Sequence, residues 1–212
     1  DVDVDLNGDV YVATSTGIYR FTAEGHALGR VVSPAGFVNG FEAVAVDGAG
    51  RIYAVDTDTY RFGVFDPDGT QIALFGSPGL GAGSFILPTG IAVGPDGHIY
   101  VTDEALDNVQ VFDLETGYLS QWATGLPGTN GIDVSDDNRV YVTGTSLGTV
   151  RAFQPDGTQI GDVGTPGGFN SPSDVDVGEN GNVYVSSASN MVQVFNPAGS
   201  QISTVGSAGV GN

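Results

Sequence analysis

The chain is 212 residues long with a formal charge of −19, and 40% of it is apolar, enough for the core of one or two domains. Twenty of its 25 acids are Asp, all six bases are Arg and Lys is absent, so the chain repels a bare nucleic-acid backbone and nucleic acid is not an expected partner. With no Cys there is no disulfide framework, thiolate zinc site or cysteine nucleophile, and no apolar stretch is long enough to span a bilayer. Neither an initiating Met nor a signal peptide is visible and the chain starts inside a repeat, so it reads as a mature or excised piece.

An apolar-Tyr-apolar segment recurs along the chain as Val10-Tyr11-Val12, Ile52-Tyr53-Ala54, Ile99-Tyr100-Val101, Val140-Tyr141-Val142 and Val183-Tyr184-Val185, at spacings of 42, 47, 41 and 43 residues. Upstream of each Tyr lies a second short apolar run: Val2 to Val4, Val44 to Val46, Ile91 to Val93, Ile132 to Val134 and Val175 to Val177. Between the two sit turns rich in Gly, Asn and Asp, such as Asn7-Gly8 and Asp96-Gly97, which supply the positive φ that a tight hairpin needs. Downstream comes a third run ending in Phe21, Phe65, Phe112, Phe153 or Phe195, then turns such as Asp66-Pro67-Asp68-Gly69 and Gln154-Pro155-Asp156-Gly157, then a fourth run such as Gln71 to Phe75. Each repeat is therefore predicted to be a four-stranded antiparallel meander.

Many of these strands are apolar at consecutive positions, so both faces must be buried. A sheet of this size cannot bury both faces alone, whereas sheets stacked face to face around an axis do, which predicts an all-β, single-domain β-propeller. Its blades fall at about 1–42, 43–89, 90–130, 131–173 and 174–212. A β-sandwich is the runner-up, and the regular period counts against it.

The stretch Gly79 to Val93, with Phe85-Ile86-Leu87-Pro88 inside it, then Pro95 to Asp103 and Asn108 to Phe112, resembles a complete NHL repeat. Phe169-Asn170-Ser171-Pro172 and Asp174 to Val177 repeat the lead-in in the fifth copy, so the resemblance covers essentially the whole chain as five NHL-like repeats. Copies one and four depart from the pattern, with Thr14 and Gly144 where Asp56 and Asp103 supply the family's Asp. NHL propellers are commonly six-bladed, which leaves three readings: the ring closes with five blades, a sixth blade lies outside this chain, or a partner chain completes it. At Gly209-Val210-Gly211-Asn212 a further Phe-x-x-Pro lead-in is the expected continuation.

In such a meander the loops after the second and fourth strands share the end where function usually sits. His26 and His98 fall in turns of the opposite end and read as surface residues. Amidating lyases of NHL type and virginiamycin-type lyases both need catalytic or metal-binding histidines, so the resemblance implies neither activity here. Asp3-Val4-Asp5-Leu6-Asn7-Gly8 matches half of a calcium loop, but Thr14 stands where a bidentate Glu belongs. On the innermost strands Asp3, Asp133 and Asp176 share one register, with Ala45 and Ala92 in the other two blades. Acids there must be hydrogen-bonded, hydrated or cation-bound. Glu42, Asp56, Asp58, Asp103, Glu104, Asp107 and Asn130 lie at the functional end and are hard oxygen ligands suited to Ca²⁺ or Mg²⁺, although no cofactor is required. Glu42 and Asn130 are similar to metal-site positions of gluconolactonase-like propellers, whose third ligand would fall near Ser173.

An Asp-rich surface without Lys repels itself in dilute salt, and that repulsion is screened when the Debye length falls to about 3 Å near 1 M salt. The composition resembles that of salt-adapted, haloarchaeal proteins, and no Asn-x-Ser/Thr sequon with a permissive middle residue is present. The reading from sequence is a non-enzymatic binding or assembly module, extracellular or at the cell surface, taking a protein or glycan partner on its loop face. A metal-dependent lactonase-like hydrolase is the second reading. A self-assembling structural subunit of a filament, virion or surface layer is the third. Trp122, in the outermost strand of the third blade, reads as packing.

Overall fold

The computed structural model describes residues 1–33, 36, 37 and 40–206, so the expected continuation at Gly209 to Asn212 lies outside the described residues. The first blade holds β1 (Val2–Val4), β2 (Val10–Thr14), β3 (Gly17–Phe21) and β4 (Ala27–Val32), and the second holds β5 (Ala43–Val46), β6 (Ile52–Asp56), β7 (Arg61–Phe65) and β8 (Gln71–Phe75). The third is β9 (Pro88–Val93), β10 (Ile99–Asp103), β11 (Asn108–Asp113) and β12 (Gly117–Ala123), and the fourth is β13 (Thr129–Val134), β14 (Val140–Gly144), β15 (Thr149–Phe153) and β16 (Gln159–Val163). The fifth is β17 (Pro172–Val177), β18 (Val183–Ser187), β19 (Met191–Phe195) and β20 (Gln201–Val205). Each blade is one antiparallel sheet in chain order, as the repeat predicts, and no sheet joins strands of different repeats, which removes the β-sandwich reading. Among the described residues no helix is long and apolar enough to cross a membrane.

The register places the repeat's Tyr opposite the same innermost position in every blade: Asp3 with Tyr11, Ala45 with Tyr53, Ala92 with Tyr100, Asp133 with Tyr141 and Asp176 with Tyr184. The Phe at the end of the third strand sits beside a register shift in each blade. The extra residue lies on the fourth strand, where Leu28, Ile72, Leu119, Ile160 or Ile202 has no residue opposite it, as in a β-bulge.

The core lies between blades. Ile18, Val32, Phe41, Val44, Ile52 and Phe65 join the first blade to the second, and Tyr53, Phe62, Phe85, Ile99, Val101 and Phe112 join the second to the third. Two further clusters join third to fourth and fourth to fifth. The middle blades bury both faces, so β6, β10 and β14 are buried at every position. In the end blades β2 and β18 alternate between buried and half-buried, because only one of their faces is covered. Trp122 packs in the third-to-fourth cluster with its ring 4.6 Å from Phe153, in agreement with its reading as a packing residue.

Glycine at the hairpin tips answers two different demands. Gly69 and Gly97 both have φ of +84°, but a Cβ on Gly97 would meet open space, whereas one on Gly69 would run into the carbonyl oxygen of Val31 in the neighbouring blade. Gly97→Ala is expected to lower stability by about 1 kcal/mol through backbone strain, and Gly69→Ala by about 3 kcal/mol because overpacking adds to it. Urea unfolding of the two variants checks the difference.

Candidate functional site

The propeller has two dissimilar ends. One carries the hairpin turns between β1 and β2, β3 and β4 and their counterparts; there His26 ends the β3–β4 turn, and His98 closes the β9–β10 turn with its Nδ1 2.8 Å from Asp96 Oδ2. Neither histidine is at the other end, formed by the β2–β3, β6–β7 and equivalent turns together with the lead-ins to each innermost strand. Four of the six arginines are held by aspartates: Arg20 by Asp5 and Asp9, Arg51 by Asp47, Arg139 by Asp137 and Arg151 by Asp162. Neutralising these pairs leaves most of the acidic surface uncompensated.

At the lead-in end, Asp103, Asp56 and Asp107, all picked out from sequence, accept backbone N–H groups. Asp103, fully buried at the end of β10, accepts N–H groups from Leu87, Ala105 and Leu106 on Oδ1 and from Ile86 on Oδ2, at 2.7–3.1 Å. It thereby fastens the Phe85 to Pro88 lead-in to the β10–β11 turn, and β9 begins back at Pro88, which pairs with Asp103 across a register shift. Asp56, buried at the end of β6, accepts the N–H groups of Asp58 and Thr59 on Oδ1 and the Thr59 hydroxyl on Oδ2. Asp107, whose φ is +48°, accepts the Gly128 N–H at 3.0 Å. Asp58 is exposed and Glu104 half-buried, while exposed Glu42 lies before β5, its own N–H bound to the Val55 carbonyl. Asn130 sits in β13, on the fourth blade, and its carbonyl accepts the Thr102 hydroxyl.

Sequence reasoning missed Thr102 and Thr143. Each hydroxyl accepts the N–H of a glycine, Gly90 or Gly131, at 2.8 Å in the innermost strand of its own blade. Both glycines are sites of close approach, where a Cβ would meet Asn130 or Asp174 of the next blade. The shared position of Thr102 and Thr143, two residues beyond the repeat's Tyr, is the signal that could have found them.

Around the axis the register of Asp3, Asp133 and Asp176 has a definite outcome. Asp3 accepts Val4 N–H on Oδ1 and Val46 N–H of the second blade on Oδ2; Asp133 accepts Val134 N–H and, from the fifth blade, Val177 N–H, all at 2.6–2.7 Å. Asp1 makes the same bridge with Val2 and Val44. Burial pushes the Asp3 carboxyl up to about 6 against the pull of its two N–H donors, and nearby Asp176 adds to the rise. Burial likewise takes Asp133 well above the ordinary carboxylate range, with Asp176 again adding to it. Asp174, not singled out from sequence, is also pushed up to about 6 by burial, with the amino terminus pulling the other way. In the half-calcium-loop segment Asp5 accepts the N–H groups of Asn7 and Asp9 and faces the Tyr11 hydroxyl at 3.4 Å, as Asp47 does for Ala49, Arg51 and Tyr53. Among the described residues no three His, Asp or Glu side chains gather into a metal-holding group.

Four-stranded sheets stacked face to face in chain order define a β-propeller array. Residues 85–112, which hold the Asp103-fastened lead-in and strands β9 to β11, match the profile of the NHL repeat, and the chain is a β-propeller of five four-stranded blades whose third blade carries an NHL repeat. Its fold is similar to that of a streptogramin B lyase, with a TM-score of 0.74 and 16% identity over 97% of this chain and 67% of that one. A selenomethionine-substituted virginiamycin B lyase from Staphylococcus aureus gives 0.68 and 16% over 95% of this chain and 67% of that one. A protein of unknown function from Bacteroides caccae gives 0.65 and 15% over 92% and 71%. At such identities the likeness is one of fold. No curated protein matches the chain in sequence.

Removing the Asp103 carboxylate strands four part-buried N–H groups at about 1 kcal/mol each, so Asp103→Ala is expected to lower stability by about 3 kcal/mol or more, while Glu104→Gln next to it changes stability by under about 0.5 kcal/mol. Chemical denaturation of both variants measures the contrast. The raised acids also set a pH dependence. Asp3 and Asp174 hold a proton more firmly folded than unfolded, so their contribution is fully present below pH 3.8 and is lost as pH rises through about 6. Between pH 7 and pH 5 the unfolding midpoint is expected to climb on acidification. At lower pH, Asp68, Asp113 and Asp156, whose turn N–H donors hold them below the ordinary range, reverse the trend. A flatter profile between pH 5 and 7 in Asp3→Asn and Asp174→Asn is the check.

Proposed function

We propose that the chain is a non-enzymatic binding module of salt-rich surroundings, extracellular or at the cell surface, whose lead-in end receives a protein or glycan partner. One observation carries this reading: at that end the buried acids Asp56 and Asp103 are occupied by the loops' own N–H groups, so they act as fasteners of a rigid platform. The surface this platform presents is mostly small and neutral, with exposed Leu80, Ile86 and Leu147 among Gly, Ser and Thr. Backbone N–H groups, hydroxyls and scattered apolar side chains suit a protein or glycan contact. The net charge of −19 supports the salt-rich setting, since repulsion on this scale is relieved by concentrated counterions.

The test is thermal unfolding at low and multimolar NaCl, each with Ca²⁺ or EDTA, with metal analysis of the purified protein, a lactone-hydrolysis assay, and binding of the labelled chain to glycan arrays and intact cell surfaces. The expected result is a midpoint that climbs with NaCl and ignores EDTA, no lactone turnover, and surface binding that Leu80→Asp with Leu147→Asp abolishes. A stoichiometric divalent ion whose removal lowers the midpoint even in high salt, together with lactone turnover lost in Glu42→Gln, would overturn the reading in favour of a hydrolase.

A further inference from the structure

The β1–β2 and β5–β6 turns each close around an aspartate that faces the repeat's Tyr and is paired with an arginine. Asp5 faces the Tyr11 hydroxyl and pairs with Arg20, and Asp47 accepts the Tyr53 hydroxyl at 3.0 Å and pairs with Arg51 at 2.6 Å. In the fourth blade Arg139 stands at the position of Arg51 and pairs with Asp137. The β9–β10 turn of the third blade departs from this on both counts. Gly94 takes the place of Asp47, and His98 takes the place of Arg51. The His98 ring meets Asp96 Oδ2 through Nδ1 and brings a positive charge only when protonated.

The replacement leaves a notch lined by oxygen. A Cβ on Gly94 would stand 2.8 Å from Asp96 Oδ1, 3.3 Å from Asn138 Oδ1 and 3.4 Å from Tyr100 Cε2, so an acid, an amide and a phenol converge on one point. Tyr100 is 0% exposed, and neither its hydroxyl nor the buried Asn138 Oδ1 has a hydrogen-bond partner among the described residues. Asn138 belongs to the β13–β14 turn, so the notch lies between the third and fourth blades, and it opens to solvent at the Asp96 side chain, which is 28% exposed. Buried oxygens without partners mark the place of a water or an ion. An anion would face a carboxylate and an amide oxygen. A water would satisfy the phenol but leave the Asp96 charge without the fixed positive neighbour that Asp5, Asp47 and Asp137 have, whereas a cation meets both needs. The fifth blade also has Gly at this position, Gly178, but puts the neutral Asn180 where Asp96 stands, so it has no such charge to balance.

We propose that this notch binds a small monovalent cation, Na⁺ or K⁺, through Asp96 Oδ1, Asn138 Oδ1 and the Tyr100 phenolic oxygen, with waters at the open side taking the phenol proton and completing the shell. The ion does for Asp96 what arginine does for the acids of the first, second and fourth blades, and it ties the third blade's turn to the fourth's. A single carboxylate among neutral oxygens balances one charge, which favours a monovalent over a divalent ion. The notch lies at the end of the propeller opposite the lead-ins, so it is independent of the partner surface proposed there.

The probe is sodium itself. Thermal unfolding of the full chain is compared in multimolar NaCl and in choline chloride of the same concentration, which screens surface charge equally but carries a cation too large for the notch. The midpoint is expected to stand several degrees higher in NaCl. Asn138→Gly removes Oδ1 at a φ of +62°, which glycine adopts without strain, and Tyr100→Phe removes the phenolic oxygen. Each is expected to cut the sodium advantage by about half or more. His98→Arg, which supplies the fixed charge of the other turns, is expected to abolish it. The midpoint of each variant in choline chloride reports folding alone, so a lost ion is read separately from a damaged fold. Three results would overturn the proposal: equal midpoints of the unsubstituted chain in the two salts, a sodium advantage unchanged in Asn138→Gly and Tyr100→Phe, or a Tyr100→Phe chain whose midpoint moves by the same amount in both salts, as a notch holding only water or nothing requires. None of these touches the lead-in reading, which rests on partner binding.

Discussion

A four-stranded sheet that is apolar on both faces has no stable existence in water, and every other feature of this molecule follows from the need to cover those faces. Burial of a large side chain such as Phe62 or Phe112 stabilises by about 1.5–3 kcal/mol, and it occurs only where two blades meet. Cohesion is therefore a nearest-neighbour property, as in other repeat arrays. The first and last blades each have one face without that neighbour, which is why β2 and β18 alternate where β6, β10 and β14 do not.

Stacking brings backbones close together, and close backbones leave N–H groups that need acceptors. Aspartate supplies them throughout this chain. It closes hairpin turns at Asp5 and Asp47, binds a lead-in to its turn at Asp103 and links consecutive innermost strands at Asp1, Asp3 and Asp133. Where the aspartate is replaced the consequence is visible: the third blade has Gly94 at the position of Asp47, and the buried Tyr100 hydroxyl finds no hydrogen-bond partner among the described residues. The abundance of Asp over Glu thus has a structural component as well as a surface one, because the shorter side chain reaches the backbone two to four residues ahead.

These bridges carry an electrostatic penalty. Asp3, Asp133 and Asp176 act on one another near the axis, and the raised carboxyls record the competition between N–H donors, which favour charge, and burial, which opposes it. Elsewhere the acids face water with few arginines to balance them, so dissolved salt and the fold's own donors share the work of stabilising the same charge. On the proposed reading, binding at the lead-in end would depend on a platform that the buried carboxylates hold in shape.

The sequence by itself determined the blade count, the four strands of each blade, the turn positions and the shared register of Asp3, Asp133 and Asp176. All of these are local or strictly periodic: a Tyr, a turn Gly and a Phe at fixed offsets report strand, hairpin and strand within a dozen residues. The sequence also located Asp56 and Asp103 at the lead-in end, because loop order follows from strand order. What those carboxylates do was decided only by tertiary structure. The donors to Asp103 include Ile86, 17 positions away, and the donor to Asp133 is Val177, 44 positions away, so hydrogen-bonding role depends on packing between segments that sequence spacing does not relate. The same holds for Thr102 and Thr143, ordinary strand residues until a neighbouring glycine N–H comes within reach, and for the uncovered faces of the end blades, since identical apolar residues are core or surface according to whether another blade stands beside them.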